Sequence, residues 1–360
     1  MKGLILAGGL ATRLRPLSHT GPKQLIPIAN KPVLFYIVED LVNAGITDIG
    51  VIVGYTPERI KFITDALGDG SKFGAKITYI EQSGPLGLAH AVITAKNFLG
   101  KDDFVMYLGD NMISKGITDL VEEFKKNKPD ASIMLCQVDD PKKYGVAVLD
   151  NNGKVIDVEE KPEIPKSNYA ITGIYIFKSC IFDAIKKIKP GKNGELHITD
   201  AIQVLVHSND KKVESHIVKG WWDDTGTSDA VLNANRLVLM ELKNKNEGRI
   251  EGENTIIKNP VEIGKGTIIK NNVHIVGPVI IGENCEIGPD TYIGPFTSIG
   301  NKCKIIRGEI ESSVILESVY IDFDEKIVNS LIGKDAKIIS DRKHPKGHKL
   351  ILGESSEVRL

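Results

Sequence analysis

Gly8-Gly9, Thr12 and Arg13 come directly after the apolar run at residues 4–7, near the start of the chain. A glycine pair after a strand lets backbone N–H groups approach phosphate oxygens closely. An arginine can clamp a phosphate through two parallel hydrogen bonds. The segment matches neither the dinucleotide fingerprint nor a Walker A loop. It therefore predicts a phosphate-binding turn, with a tight strand-to-helix turn and a solvated arginine as the alternative.

Lys23 is the second candidate, since it lies between Pro22 and Pro27. Two prolines so close together exclude a regular helix or a central strand. A cation in a rigid loop just after the glycine pair would suit a triphosphate. The alternative is an ordinary solvated surface lysine.

Two aspartates could bind Mg²⁺. Asp110 follows the apolar segment 104–108, and Asp224 lies in a segment rich in tryptophan, aspartate and threonine. A carboxylate at a strand end can bind Mg²⁺ through one oxygen and leave the other positions to water and phosphate oxygens. An aspartate before a turn can also be only a turn former.

Glu160 and Lys161 form the fourth candidate, and they precede a proline. The carboxylate could accept sugar hydroxyls while the ammonium holds a sugar phosphate. The alternative is an acidic strand end that the proline terminates.

The elements that must position these residues alternate between strands and helices over residues 1–227. Apolar runs predict strands at 2–6, 49–53, 77–80 and 104–108, and helical spacing predicts helices at 32–43, 57–67 and 88–98. Such βα units indicate a Rossmann-like mixed, mostly parallel sheet covered by helices. Ligands of these sheets bind beyond the carboxyl ends of the strands. The glycine pair and Asp110 should therefore share one rim.

The pattern changes completely after about residue 250. Isoleucine recurs every six residues from Ile257 to Ile305, and the phase slips after Arg307 and resumes at Ile315. A six-residue period is typical of a left-handed parallel β-helix with inward isoleucines. The interval 306–314 should hold a bulge or loop. The helical pattern from Ser228 leads into this region, so we predict domains at 1–245 and 246–360.

Composition excludes some classes of function. The formal net charge is −1, so no general basic field favours nucleic acid or an anionic membrane. The sequence shows neither a secretory core nor a run of about 18 apolar residues. Four cysteines lack metal-ligand spacing and are expected to be free thiols. These features predict a cytoplasmic protein.

Taken together, the motifs resemble those of the sugar nucleotidyltransferase family, in its thymidylyl branch. The resemblance covers about residues 1–240, and the hexad domain is similar to that of the long forms. One difference is Ala11, where the family usually has glycine. The matching segments occur in order and are Gly8-Gly9-x-x-Thr12-Arg13, Pro22-Lys23-Gln24, Gly87-Leu88-Ala89-x-Ala91, Gly109-Asp110-Asn111, Tyr144-Gly145-Val146, Glu160-Lys161-Pro162, Thr172-Gly173 and Asp224-Thr225-Gly226-Thr227.

The resemblance implies transfer of a nucleotidyl group from dTTP to glucose 1-phosphate with Mg²⁺, releasing pyrophosphate. It implies catalytic roles for Arg13, Lys23, Lys161 and Asp110, and metal ligands in Asp110 and Asp224. Nucleotide binding falls to Leu6, Gly8, Gly9, Thr12, Arg13, Lys23, Gln24, Gln82, Gly87 and Asp110. Sugar-phosphate binding falls to Tyr144, Gly145, Glu160, Lys161, Gly173, Glu195 and Trp222.

Three alternatives stay open from the sequence. The substrates could be UTP or N-acetylglucosamine 1-phosphate. The hexads could carry an acetyltransferase, with His274 as the histidine inside them and His344 and His348 in the tail. The chain could also be a non-catalytic paralogue, although its basic and acidic candidates are intact. The flat faces of a β-helix favour self-association, so we expect a homo-oligomer.

Overall fold

The computed structural model describes residues 1–9, 12–14, 21–191 and 193–340. The chain divides into two compact units, Met1–Glu241 and Leu242–Leu360. This division falls four residues before the predicted boundary at 245. None of the described helices combines the length and the apolar character that a membrane span requires.

Mixed α/β structure builds the first unit. Its strands are β1 (Lys2–Leu6), β2 (Pro27–Ile28), β3 (Lys31–Pro32), β4 (Asp48–Val53), β5 (Lys76–Glu81), β6 (Phe104–Leu108), β7 (Met112–Ile113), β8 (Ala131–Gln137), β9 (Gly145–Leu149), β10 (Val155–Glu160), β11 (Tyr169–Phe177), β12 (Val213–Ile217) and β13 (Trp222–Asp223). Its helices are α1 (Val33–Asn43), α2 (Pro57–Leu67), α3 (Leu88–Thr94), α4 (Lys96–Leu99), α5 (Thr118–Asn127), α6 (Ile181–Ile185), α7 (Ile198–Val206) and α8 (Ser228–Leu239). Short 3₁₀ turns lie at Thr12–Leu14, Lys23–Leu25, Ser71–Phe73 and Pro141–Lys143.

Among the described residues, nine strands form the main sheet, with the path β10-β9-β11-β6-β1-β4-β5 and with β8 joining β11 to β12. Strands β6, β1, β4 and β5 run parallel, as the βα pattern predicts. The pairs of β11 with β6, β8 and β9 are antiparallel, and so is β9 with β10. The mixed sheet is confirmed, and its antiparallel part is larger than the sequence pattern indicates.

Most predicted elements of this unit lie where they were expected. The strands at 2–6 and 104–108 and the helix at 57–67 have the predicted bounds. The single helix predicted at 88–98 is wrong, because α3 ends at Thr94 and α4 begins at Lys96. Thr94 Oγ1 donates to the His90 carbonyl oxygen at 2.9 Å, a local bond that competes with regular helix geometry. The helical pattern that begins at Ser228 forms α8, which ends at Leu239.

Three parallel sheets build the second unit, consistent with the predicted left-handed β-helix. The first sheet contains β14 (Lys245–Asn246), β17 (Val261–Ile263), β20 (Val279–Ile281), β23 (Thr297–Ile299), β26 (Val314–Ile315) and β29 (Leu331–Ile332). The second contains β15 (Arg249–Ile250), β18 (Ile268–Ile269), β21 (Glu286–Ile287), β24 (Lys304–Ile306), β27 (Tyr320–Asp322) and β30 (Lys337–Ile339). The third contains β16 (Ile256–Lys258), β19 (Val273–Val276), β22 (Thr291–Ile293), β25 (Glu309–Glu311) and β28 (Lys326–Val328).

Stacked isoleucines fill this β-helix, and the repeats from Ile263 to Ile305 are at most 1% exposed. Their burial confirms the six-residue interpretation. Ile257 is only partly buried against this core. Gly282 allows two coils to meet, since a Cβ there would lie 2.8 Å from the backbone nitrogen of Asn301.

The interval 306–314 differs from its prediction. It contains strand β25, and Ile310 continues the interior column beside Ile293. Arg307 and Gly308 both have positive φ, so a tight turn absorbs the change of spacing. The coil from Ile293 to Ile310 is seventeen residues long, whereas Ile275 to Ile293 takes eighteen.

The described cysteines are free, as expected. Cys285 and Cys303 are buried one coil apart. Each thiol contacts a carbonyl oxygen of the following coil, Cys285 Sγ that of Gly300 at 3.1 Å and Cys303 Sγ that of Leu316 at 3.0 Å. They serve as small interior side chains of this column.

Candidate active site

A cavity of about 330 Å³ lies at the carboxyl ends of the parallel strands. The carboxyl ends of β1, β4, β5 and β6 meet there, because these neighbours run in register in one direction. The predicted residues in its lining are Leu6, Gly8, Gly9, Lys23, Gln24, Gln82, Gly87, Asp110, Glu160, Lys161 and Glu195. The topology therefore brings residues from seven separate segments of the chain to one cavity.

Two backbone hydrogen bonds hold the Gly8-Gly9 turn against the sheet. Ala7 N donates to the Ile52 carbonyl oxygen at 2.8 Å, and Gly109 N donates to the Leu6 carbonyl oxygen at 2.9 Å. Gly109 admits this approach, since a Cβ there would lie 2.9 Å from the Leu6 oxygen. The Gly8-Gly9 turn and the segment of Asp110 are thus fixed side by side.

Lys23 and Asp110 form an ion pair in the cavity wall through Nζ and Oδ2. Their side chains are 12% and 20% exposed, so water screens this pair less than a surface pair. Asp110 Oδ1 also accepts a hydrogen bond from Asn111 Nδ2 at 2.9 Å. The ammonium group of Lys23 therefore already contacts the Asp110 carboxylate, which the sequence predicts to be a metal ligand.

Asp224 lies in a loop that is tied to Asp110. Thr225 Oγ1 donates to the Asp110 carbonyl oxygen at 2.6 Å, and Thr225 is buried. Asp224 Oδ1 accepts from Gly226 N at 3.1 Å. A Cβ on Gly226 would lie 3.4 Å from Arg13 Nη2 and 3.3 Å from that same carboxylate oxygen. Arg13 and Asp224 therefore lie together, although neither belongs to the cavity lining.

Asp110 and Asp224 are the carboxylates that the resemblance assigns to a metal ion. Within the described ranges, no cluster of three or more His, Cys, Asp or Glu residues could hold an ion. Asp110 and Asp224 nevertheless supply hard carboxylate oxygens from two tied segments, beside a cavity that can admit phosphate. That donor set fits an ion which takes most of its ligands from phosphate and water.

Glu160 and Lys161 lie at the end of β10, opposite Gly145 in the sheet register. Glu160 Oε2 accepts from Thr199 Oγ1 at 2.6 Å, and Lys161 Nζ lies 3.6 Å from Glu160 Oε1. A Cβ on Gly145 would lie 3.4 Å from Glu160 Oε2. Lys161 N donates to the Tyr144 carbonyl oxygen at 3.1 Å, so these five residues form one group.

Tyr144 and Trp222 form an aromatic wall beyond that group, with ring centroids 5.2 Å apart at 69°. Burial, with the charges of Asp224 and Asp223 in second place, raises the pKa of Tyr144 to about 12. Its hydroxyl therefore stays protonated at neutral pH and can donate a hydrogen bond. Neither ring belongs to the cavity lining.

Asn111 links this wall to Asp110, and the sequence analysis assigned it no role. Its Oδ1 accepts from Trp222 Nε1 at 2.6 Å and from Gly173 N at 3.3 Å. Gly173 itself packs on Leu108, where a Cβ would lie 2.6 Å from a leucine carbon. Gly173 therefore supports the wall from behind the cavity.

Sequence reasoning missed several residues that line the cavity. It also missed Thr199 and Thr225, which act just behind the cavity. His197 and Ile198 line the cavity beside Glu195. Their only signal was nearness in sequence to a predicted residue. Of the residues in the first glycine motif, Ala11 and the Thr12 side chain lie outside the described part of the chain, as do His344 and His348.

Comparison with known proteins places this arrangement in a class. The family described as "Nucleotidyl transferase" matches residues 2–241, and the family described as "GMPPB C-terminal domain" matches residues 275–359. Fold and site thus define a nucleotidyltransferase with an added β-helix.

Individual relatives extend the match over the whole chain. The low-salt glycan biosynthesis nucleotidyltransferase Agl11 of Haloferax volcanii is 49% identical over 361 residues, covering 100% of both chains. A glucose-1-phosphate thymidylyltransferase of Streptomyces antibioticus is 48% identical, covering 100% of this chain and 99% of its own. A solved structure from Bacillus anthracis, named as a candidate glucose-1-phosphate thymidylyltransferase in complex with sucrose, is 41% identical with a TM-score of 0.61. It covers 66% of this chain and 94% of its own.

The chain therefore belongs to the sugar nucleotidyltransferase family. Its reaction class is nucleotidyl transfer to a sugar phosphate. Enzymes of this family generally use a divalent metal ion.

Proposed function

We propose that this chain transfers the thymidylyl group of dTTP to glucose 1-phosphate in the cytoplasm, giving dTDP-glucose and pyrophosphate. The observation that carries the proposal is the single cavity that holds Lys23 with Asp110 and Lys161 with Glu160. One pair suits a nucleoside triphosphate and the other suits a sugar phosphate. The printed name of the Streptomyces antibioticus relative supports these two substrates.

The nucleotide half of the proposal rests on the turn after β1. Gly8 and Gly9 offer backbone N–H groups to the triphosphate, together with Leu6 and Thr12. Arg13 and Lys23 supply positive charge for its phosphates. Gln82 and Gly87 read the pyrimidine edge, and Gln24 lies near Gly9, where a Cβ would be 3.9 Å from its amide nitrogen.

The metal is proposed to be Mg²⁺, held by Asp110 and Asp224. When bound, it would neutralise phosphate charge and polarise phosphate oxygens. The tie from Thr225 to Asp110 supports this assignment, since it holds two carboxylate-bearing segments at one place.

The sugar half rests on Glu160, whose carboxylate is already oriented by Thr199. A carboxylate with one fixed oxygen can accept hydroxyl groups of a sugar at defined positions. Lys161 lies beside it for the phosphate. Glu195 in the cavity lining and Gly145, with Tyr144, Trp222 and Gly173 behind, complete this half.

The chemistry needs no activated side-chain nucleophile, because a sugar phosphate is already an anionic nucleophile. The difficulty is to bring two polyanions together. Arg13, Lys23 and Lys161 offset that repulsion and orient an in-line attack on the α-phosphorus. The new P–O bond forms as the bond to pyrophosphate breaks. We therefore expect no covalent nucleotidyl-enzyme.

The test is pyrophosphate release across dTTP, UTP, ATP and CTP, each with glucose 1-phosphate or N-acetylglucosamine 1-phosphate, with and without Mg²⁺. We expect the highest kcat/KM with dTTP and glucose 1-phosphate, and no turnover after EDTA. A higher kcat/KM with UTP or with N-acetylglucosamine 1-phosphate would show that the proposed substrates are wrong and that the reaction class, nucleotidyl transfer to a sugar phosphate, is right. Absence of turnover with every pair would refute the proposal.

The β-helix unit is proposed to serve assembly into a homo-oligomer. Its flat parallel faces support this role. Light scattering on the full chain tests it, and a monomer at micromolar concentration would contradict it.

A further inference from the structure

Gln82 is held in one orientation by two acceptors. Its Nε2 lies 3.3 Å from the Gly87 carbonyl oxygen and 3.3 Å from Nδ1 of His90. A carbonyl oxygen can only accept, so the end of the amide that faces Gly87 must be the NH₂ group. Its two protons are then used by Gly87 and His90.

This arrangement also sets the role of His90 Nδ1 in the contact. Because the NH₂ group of Gln82 faces it, Nδ1 acts as the acceptor of the hydrogen bond from Gln82. Thr94 holds the backbone of the same helix through its bond to the His90 carbonyl oxygen. His90 therefore acts from a fixed position on α3.

His90 is the second acceptor that holds the amide, beside the Gly87 carbonyl oxygen. The Gly87 carbonyl oxygen already accepts the first hydrogen bond of α3, from Ala91 N at 3.2 Å. Gln82 shares that oxygen with the helix. Gly87 also cannot move easily, since its φ is 96° and a Cβ there would lie 2.4 Å from the Leu196 oxygen. Within the described ranges of the chain, Nδ1 of His90 accepts no backbone hydrogen bond, and Thr94 Oγ1, which lies 3.4 Å from it, donates to the His90 carbonyl oxygen.

The opposite end of the amide is left for a ligand. Throughout residues 1–9, 12–14, 21–191 and 193–340, no protein group donates to Gln82 Oε1, and Gln82 lines the cavity. An oxygen in that position accepts a hydrogen bond and cannot donate one. It therefore matches a base edge that carries a proton.

We infer that His90 determines base specificity by fixing the Gln82 amide with Oε1 toward the nucleotide. Thymine and uracil carry a proton on N3, whereas N3 of cytosine is an acceptor. Cytosine would place two acceptors face to face and leave both unpaired, which is the kind of mismatch that rejects a substrate strongly. The inference rests on the proposed function, because it needs a pyrimidine nucleotide in this cavity.

The experiment compares kcat/KM for dTTP and dCTP, which differ only in the base, with glucose 1-phosphate as acceptor. His90→Leu removes the ring acceptor, and we expect the dTTP-to-dCTP ratio to fall about tenfold. The change should come from KM, with kcat for dTTP within about threefold of wild type. His90→Asn can present an amide oxygen near the place of Nδ1, and we expect it to retain most of the ratio.

Two further variants complete the design. Ile93→Ala lies on the same helix at a position that is 38% exposed and outside the cavity lining, and it should leave the ratio unchanged. His90→Lys replaces the acceptor with a donor, so the ratio should fall at least as far. It also serves if His90→Leu does not fold.

The outcomes separate the two proposals. A wild-type ratio in both His90→Leu and His90→Lys would overturn the role of His90 and leave the proposed function intact. If wild-type protein releases no pyrophosphate from dTTP with any sugar 1-phosphate, the proposed function itself fails.

Discussion

The two units use polar residues in opposite ways. In the first unit, charged and amide side chains meet at strand ends and hold one another, as Lys23 and Asp110 do. In the β-helix, the buried polar side chains among the described residues carry hydroxyls and thiols, and those of Thr267 and Cys285 contact carbonyl oxygens of the neighbouring coil. The comparison teaches that the first unit brings charged side chains together in its cavity, while the interior of the β-helix repeats neutral contacts and its ion pairs lie on the outside.

The largest test of this contrast is Asp110→Asn, which should lower kcat by about 100-fold or more because a charged ligand of the cavity is lost. Pyrophosphate release measures it. The control is Asp65→Asn, an exposed residue paired with Lys61 on α2, which should keep wild-type rates. Near-normal turnover of Asp110→Asn would show that the activity does not depend on the charged side chains gathered in the cavity.

The β-helix side is tested by Ile293→Ala. Ile293 is fully buried in the interior column, so its truncation should cost about 2–5 kcal/mol of the free energy of unfolding of this unit. Hydrogen exchange of peptides from 256–339 measures the loss. Ile256→Ala on the same sheet is 49% exposed and should cost much less. Equal losses at the two positions would contradict the interior column.

The first unit also contains a buried carboxyl group, that of Asp40, whose titration should make the stability of the protein depend on pH. Burial raises the pKa of Asp40 to about 7, with a smaller contribution from Glu39, while Tyr107 donates to Asp40 Oδ2 at 3.0 Å. Between the unfolded value near 4 and about 7, the folded state holds the proton and the unfolded state does not, so stability falls as pH rises.

Asp40→Asn should remove that loss. At pH 8 we expect the variant to gain about 2 kcal/mol in unfolding free energy, with little difference from wild type below pH 4. Urea unfolding at pH 4, 6 and 8 measures it. A parallel pH slope in both proteins would show that the carboxyl is ionised throughout.

The smallest expected effect is at Thr225, which joins the two carboxylate segments without belonging to the cavity lining. Thr225→Val keeps the shape and removes the donor to the Asp110 carbonyl oxygen. We expect the Mn²⁺ concentration for half-maximal binding to rise about tenfold, measured by electron paramagnetic resonance. Thr225→Ser should restore most of it. Wild-type Mn²⁺ binding in Thr225→Val would show that the tie is only structural.

The same contrast explains what the sequence could predict. A six-residue repeat is a local pattern, so the interior isoleucines were identified without any long-range contact. Ile310 was missed because the turn at Arg307-Gly308 changes the spacing by one residue. The parallel strands were identified from βα alternation, whereas the antiparallel pairing of β11 lacks such a local marker.

Site residues were found where a motif surrounds them, as at Lys23 and Glu160. Asn111 and Thr225 lie in matching motifs but were given no role, and Thr199 was missed, because the roles of all three depend on partners far away in sequence. Trp222 is 111 residues from Asn111, and Asp110 is 115 residues from Thr225. Hydrogen bonds of that span are set by topology, which a single sequence does not display.

The shortened coil has a consequence for how such a unit can change over time. The corner at Arg307-Gly308 takes up the missing residue, and the interior stack passes from Ile293 to Ile310 without a gap. Corners of the β-helix can therefore accommodate insertions and deletions while the stack of buried isoleucines stays continuous. Descendants of this chain could alter the length of their coils, and with it the outer surface, without rebuilding the interior.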